Sequence, residues 1–517
     1  MFRQLSLDIF VVGLVISLVH WISSSHRRRG LSLPPGPRGV PIIGSLFSVP
    51  RANECIIYRD WGLKYGSDLI HFGVFGTHTI VVNSAKATKD LFSDRSALYS
   101  DRYARTLALT RLHSLGFNWA LVFASYGPRW RALRKGVQEQ FHRDAARAFE
   151  PIEEFSAHAL LRELVKAPEG FLLHIRHMAG RIIMRIAYGI DIRPHNDPYV
   201  HMAEEALQAI SVGSQFGGLL FDMVPFLQKM PSWFPGTRMR GILRGKRPVA
   251  DAMFEKAWVD TAKAVAEGTA QPSVAVSNLG KQETPWKSNQ AIPANIYIAG
   301  ADTTVSSIQS FFLAMVLYPD AQRKAQEEID RVLAGSRLPT FDDAKSLPYV
   351  NALVKEVLRW HPVAPLGVAH RVTVDDVYEG HFIPKGSTIL GNIWAILHDP
   401  TVFPEPESFR PEHFLVSEHG GSLPPDAALS PEAAFGFGRR ICPGRHMARA
   451  SVWIVVANVL AAFDIGPARD KDGRVVPVKE EYTSGIVAYP SPFECKIMPR
   501  SEKARELVMA TEDEALV

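Results

Sequence analysis

The chain opens on an apolar run, Ile9 to Ile22, broken only by Ser17 and His20 and followed by His26-Arg27-Arg28-Arg29. With Leu5 and Leu7 the run approaches the lower limit for a bilayer span. A cleaved leader is the other reading, with Ser23-Ser24-Ser25 as its small-residue site. Most of the positive charge follows the run and only Arg3 precedes it, which favours an uncleaved transmembrane anchor with the body of the chain on the cytosolic side. Pro34-Pro35-Gly36-Pro37 then forms a stiff, extended segment. The pattern divides the chain into an N-terminal anchor (1–25), a basic and proline-rich hinge (26–40), one large body (41–500) and a polar C-terminal tail (501–517).

Most of the body has a helical period. The β-branched stretch Thr79-Ile80-Val81-Val82 predicts a strand, and Tyr126 to Arg134 predicts the start of a helix with Pro128 in its first turn. Residues 140 to 260 are helical in period and offer no site. Gln271 to Gln290 is polar and irregular. From Pro293 to Tyr318 the chain is apolar on nearly all sides, which predicts a buried helix of ~39 Å. Proline suits a first turn and kinks an interior, so the helix either begins at Pro293 or has a bent start further upstream. Pro319 ends it, and Asp320 to Leu333 forms an amphipathic helix that stops near Gly335. Val350, Leu353, Val354, Val357 and Leu358 put one face of the next helix in the core. The fold class is mainly α with a small β-rich portion.

A length of 517 residues would suggest several domains, yet no linker, charge block or repeat divides the chain after residue 50. With 46% hydrophobic and 21% charged residues it is an ordinary globular chain. The cysteines Cys55, Cys442 and Cys495 are too few and scattered for a disulfide framework or a zinc site, and fit a reducing, cytosol-facing location. A net charge of +5 without a basic stripe among aromatics excludes nucleic-acid binding.

One cysteine stands in a special setting. Phe435, Gly438, Arg440, Cys442 and Gly444 form the pattern Phe-x-x-Gly-x-Arg-x-Cys-x-Gly. Gly436 and Gly438 allow positive φ and close approach to a flat ligand. Pro443 and Gly444 open a helical run, so Cys442 sits near a helix N-terminus that favours a thiolate. A cysteine thiolate is an axial ligand of haem iron; the bland alternative is a buried structural cysteine.

At these residues the chain resembles the cytochrome P450 family, and fungal microsomal members most of all. The resemblance implies the cytochrome P450 fold, a haem b cofactor with Cys442 on its iron, and Phe435 and Gly444 in the cofactor-binding loop. Trp130 and Arg134, four apart on one helical face, would hold a propionate; a surface helix rich in arginine is the alternative. His370 would be a second propionate contact, against an ordinary loop histidine, with Arg371 as a lesser candidate. Arg440 would be the third.

Ala299-Gly300-Ala301-Asp302-Thr303-Thr304 matches the family's dioxygen-activation motif. Small residues there would let the helix widen, with Thr303 and Asp302 as catalytic hydroxyl and acid for proton delivery. The alternative is a threonine bonded back to its own helix. Glu356 and Arg359 would be a buried scaffold pair, joined from Phe409-Arg410-Pro411-Glu412-His413-Phe414 by His413, where the family has arginine. Arg445 and Arg449 are either a solvated face or a docking patch for an acidic redox partner. Val363, Leu366, Val368, Ile486 and Val487 are apolar pocket candidates.

The activity implied is insertion of one oxygen atom of O2 into a lipophilic small molecule. The setting would be fungal secondary metabolism, such as a terpenoid pathway, at the endoplasmic reticulum membrane. No flavin or dinucleotide segment follows the haem loop, so a separate membrane-bound NADPH-cytochrome P450 reductase would supply electrons. Two alternatives are a haem-thiolate isomerase or dehydratase needing no reductase, and a non-catalytic haem sensor or electron carrier.

Overall fold

In a computed structural model the chain is described over residues 30–102, 115–194, 196–214, 230, 245–282, 284, 286–415 and 430–511. The expected anchor (1–25), the basic part of the hinge and residues 512–517 lie outside these. Among the described residues no helix is long and apolar enough to cross a membrane.

Eleven longer helices carry the described fold. They are α1 (Glu54–Tyr65), α2 (Pro128–Phe141), α3 (Glu150–Lys166), α4 (Phe171–Tyr188), α5 (Pro198–Ser214) and α6 (Arg247–Ala266), then α7 (Ser288–Leu317), α8 (Pro319–Leu333), α9 (Pro348–Trp360), α10 (Arg445–Ala462) and α11 (Glu502–Ala510). Strands β1 (Leu69–Val74), β2 (Thr77–Val82), β3 (His370–Arg371) and β6 (Thr388–Gly391) form a sheet in the order β1-β2-β6-β3. Only the β2–β6 pair is parallel. Two small antiparallel pairs, β4 (Asp376–Tyr378) with β5 (His381–Ile383) and β7 (Phe463–Pro467) with β8 (Cys495–Pro499), complete the β portion. Part of the polar C-terminal stretch is helical: α11 is held to α3, with Val508 buried and Arg162 donating to Thr511.

Helix α7 crosses the core and begins five residues earlier than its proline suggested. Pro293 lacks the N–H that would bond the Asn289 carbonyl four residues back. That carbonyl instead accepts from Asn278 Nδ2 at 3.2 Å, from the short helix Val274–Leu279. Asn289 in turn donates to the carbonyls of Lys281 and Gln282. Two asparagines thus tie the irregular stretch to the helix start and satisfy the group that proline orphans. Downstream, Gly300 lies against α4, where a Cβ would stand 2.3 Å from Ile183 Cδ1. The helix keeps α geometry from 299 to 304. Gly300 therefore provides close packing of α4, not the local widening expected.

Candidate active site

The loop 435–444 is shaped by its glycines. Gly436 and Gly438 have φ of 78° and 53°, and a Cβ on Gly438 would lie 1.9 Å from the Phe92 carbonyl oxygen. The Phe435 carbonyl accepts from Cys442 N at 2.8 Å and closes the loop, and Gly444 caps α10. Burial pushes the Cys442 thiol up; the Gly444 N–H and the charges of Arg134 and Arg445 oppose this with smaller effect. A metal cation bound to the sulfur favours the thiolate.

Beside the loop lies a group of cations, Arg102 buried and Arg134 and Arg440 partly so. Trp130 faces the Arg440 guanidinium at 4.4 Å. Arg440 donates to the carbonyls of Ser100 and Ala124, each at 2.8 Å. Arg134 donates to the Ile441 carbonyl at 2.6 Å, which sets it against the cysteine loop. Arg102, which no motif singles out, is buried next to Arg440 and donates to the carbonyls of Val122, Val368 and Ala369. Among the described residues none of these three arginines pairs with a carboxylate. Burial, and for Arg102 the neighbouring Arg440, hold them below the ordinary arginine range, Arg440 at about 10.

His370 packs on Phe92 at 4.4 Å and its Nδ1 lies 2.7 Å from the Tyr99 carbonyl, so Nδ1 carries the proton. Burial, with Arg102 and Arg440, pushes it well down, so the ring is neutral with Nε2 as an acceptor. It donates to an anion only after taking a second proton, which an anion at this place would favour. Arg371, next along β3, is partly exposed against Gly386. Carbonyls cannot neutralise buried guanidiniums, so the cluster needs an anionic partner.

Helix α7 meets this cluster: Asn295 Oδ1 accepts from Leu121 N at 2.5 Å, and the Leu121 carbonyl accepts from Arg440 at 3.5 Å. Ala299 is exposed and Thr303 partly so, although nearly every other residue of α7 is buried. Thr303 Oγ1 donates to the Ala299 carbonyl at 2.8 Å, which leaves its lone pairs as acceptors. Asp302 takes another direction. Its carboxylate accepts from Arg176 Nη1 on α4 at 2.8 Å, and Arg176 Nε lies 3.5 Å from Glu204 on α5. Burial raises Asp302 to about 6 against the opposing charge of Arg176.

Arg176, Glu204, Tyr297 and Asp302 are among the residues around a cavity of about 10 Å3, roughly the room of one water. Arg176 and Glu204 lie in the stretch that offered no site. Only the packing of α4 and α5 on α7 brings them to Asp302.

The scaffold pair is as expected. Glu356 and Arg359 are fully buried and doubly bonded at 2.7 Å, and Arg359 also donates to the carbonyls of Leu397, Pro406 and Ser408. His413 Nδ1 stands 3.2 Å from both Glu356 oxygens. Arg445 and Arg449 are partly exposed: Arg445 donates to the Cys442 carbonyl, while Arg449 bonds Glu432 and covers the Phe435 ring. Of the pocket candidates, Val363 is tied to the segment after Val487, since Ala488 N donates to the Val363 carbonyl and Ser306 Oγ donates to the Ala488 carbonyl.

The sequence profile of the family described as Cytochrome P450 matches residues 34–497. The chain belongs to the cytochrome P450 family. Its relatives include cytochrome P450 monooxygenase ple1 of Rhodocybe pseudopiperita, 38% identical over 98% of this chain and 96% of that protein. Cytochrome P450 monooxygenase COX2 of Coprinopsis cinerea is 39% identical over 94% and 92%. Tryptamine 4-monooxygenase of Psilocybe cyanescens is 34% identical over 96% and 98%.

A cytochrome P450 holds haem through a cysteine thiolate, receives reducing equivalents from a redox partner and oxidises lipophilic substrates with O2. The residues present fit that cofactor. Arg102, buried, and Arg134 and Arg440, partly buried, form no ion pair among the described residues and suit its two carboxylates, and Trp130 orients Arg440. Cys442, held in the glycine-shaped loop, suits its iron.

Proposed function

We propose that this cytochrome P450 oxidises a lipophilic small molecule of fungal secondary metabolism, such as a terpenoid, with electrons from a separate NADPH-dependent reductase in the endoplasmic reticulum membrane. The observation that carries the reading is the pairing of a thiol loop, and of cations that form no ion pair among the described residues, with the uncovered Ala299–Thr303 face of α7. When bound, the haem supplies dioxygen activation; the chain's own residues supply placement and protons.

Arg102, Arg440 and Arg134 fix the orientation of the carboxylates, and the Phe435–Gly444 loop fixes the sulfur. Thr303 Oγ1, already bonded to the Ala299 carbonyl, presents acceptor lone pairs that hold a delivery water. Asp302, titrating at about 6 and held by Arg176 beside the partly exposed Glu204, takes protons by way of a water in the cavity these residues share, so protons enter from the α4–α5 side. The apolar segments around Val363 and Ile486 exclude bulk water from the substrate side. The same reading places the run at 9–22 in the membrane as an anchor.

The test is a ferrous–CO difference spectrum of membranes from cells expressing the chain, beside Cys442→Ser. A strongly red-shifted Soret band, lost in the variant, is expected. NADPH consumption with added reductase should then yield a monooxygenated product from a panel of terpenoids, polyketides and indoles. Turnover of hydroperoxides without any reductase would identify an isomerase or dehydratase instead.

A further inference from the structure

A hairpin from Tyr482 to Pro490, whose two ends pair antiparallel, runs along one stripe of α7. Asp302, Ser306 and Ser310 stand four apart on that helix, so they lie one above another on a single face. Ser310 Oγ accepts from the Tyr482 hydroxyl at 3.0 Å, and Ser306 Oγ donates to the Ala488 carbonyl at 2.6 Å. Between these two points the hairpin closes on itself. Thr483 N donates to the Tyr489 carbonyl at 2.8 Å, and Tyr489 N donates to Thr483 Oγ1 at 3.0 Å. Its turn carries Ile486 and Val487, two of the apolar pocket candidates, both partly exposed.

The third position of the stripe reaches the same hairpin through an arginine. The Arg176 guanidinium, which donates to Asp302, lies 5.6 Å from the centre of the Tyr489 ring. Two acids draw this guanidinium in different directions: the Asp302 side chain is 6% exposed, whereas that of Glu204, 3.5 Å from Arg176 Nε, is 35% exposed. Water favours the outer contact, because a charge keeps more of its hydration there. An aromatic face attracts a cation without competing for its N–H groups, so the ring opposes that drift. The Tyr489 hydroxyl is buried and has no hydrogen-bond partner among the described residues, so the ring alone meets Arg176. Around Asp302 and its cavity the charged and titratable groups are Arg176 from α4, Glu204 from α5 and, on α7 itself, Tyr297, whose hydroxyl donates to the Tyr199 carbonyl.

We propose that Tyr489 is a positioning residue for proton delivery: its ring holds the Arg176 guanidinium against Asp302, and the hairpin thereby ties the substrate-facing turn to the acid that supplies protons. Ala488 is the pivot. It is buried and pinned to both Ser306 and the Val363 carbonyl, so a displacement of Ile486 and Val487 on one side is passed to Tyr489 on the other. A molecule seated against the turn steadies Tyr489 and keeps Arg176 on the inner carboxylate. The proposal rests on the proton route described above.

The test follows the Asp302 carboxyl directly in the haem-loaded full chain, as the infrared band of a protonated acid that Asp302→Asn removes, titrated against pH. Tyr489→Leu loosens Arg176 and should raise the titration point, because the opposing charge is withdrawn. Tyr489→Phe keeps the ring and should titrate with the parent. A panel terpenoid that shifts the Soret band should lower the point in the parent and leave it unmoved in Tyr489→Leu. An unshifted point in Tyr489→Leu would overturn the positioning role, and so would an equal shift in Tyr489→Phe, which assigns the effect to the hydroxyl. A phenylalanine fluorinated around its ring at 489 keeps the shape and loses the negative face. It gives the same comparison if the leucine variant does not hold haem: a point above that of Tyr489→Phe is expected, and an equal one refutes the proposal. Asp302→Asn is also assayed for peroxide release with NADPH and reductase. No rise there would overturn the proton route and the proposal with it, whereas a several-fold rise beside an unshifted Tyr489→Leu would overturn the proposal alone.

Discussion

Asp302 shows how one residue serves two opposed demands. Its folded titration point, about 6 against an ordinary 3.8, reflects burial only partly countered by Arg176, a difference worth about 3 kcal/mol. Because the folded value is raised, the group's contribution to stability is full below 3.8 and is lost as pH rises to about 6. Asp302→Asn should thus be no less stable than the parent at pH 7.5 by thermal melting, while more of the NADPH consumed ends as released peroxide. Arg176→Met removes the opposing charge, so the acidic limb of the pH profile of product yield should move up. Arg102 is a similar compromise: Arg102→Met should raise the melting temperature of the haem-free chain and lower haem retention several-fold, measured by haem transfer to an acceptor protein. Cys442 and Arg440 were legible from their spacing. Arg102 and Arg176 were not, because nothing local marks an arginine whose surroundings, burial for Arg102 and Asp302 with Glu204 for Arg176, are supplied by distant elements.

Between elements, much is decided by glycines at close approaches. Gly300→Ala places a methyl group against Ile183 of α4 and should destabilise by about 1–3 kcal/mol. Adding Ile183→Val should recover most of that, a coupling read by denaturant melts of the four-member cycle. Similarly, the α9 scaffold is held by one buried carboxylate that serves Arg359, His413 and the backbone N–H of Arg410. Glu356→Gln should cost about 3–5 kcal/mol and yield little haem-loaded protein, whereas His413→Arg, which keeps a hydrogen-bond donor opposite Glu356, should melt within a few degrees of the parent. The helix periods of α7, α8 and α9 were readable, as was the β2 strand. The start of α7 was not: Pro293 argues for a helix boundary unless Asn278, from another segment, satisfies the carbonyl it orphans.

For the molecule as a whole, three arginines that form no ion pair among the described residues stand beside the Cys442 loop and suit a dianionic, iron-bearing group. Protein made with haem synthesis blocked should melt several degrees lower than loaded protein, and added haem should restore the difference in proportion to occupancy. Taken alone, the sequence determined the class of fold, the cysteine loop, the scaffold pair and the long helix that carries Thr303. These rest on local spacing and period, which survive in one dimension. The tertiary structure decided which arginines form no ion pair among the described residues, which face of α7 is uncovered and where Asp302 turns. Those are properties of burial, and burial depends on residues brought together from across the chain.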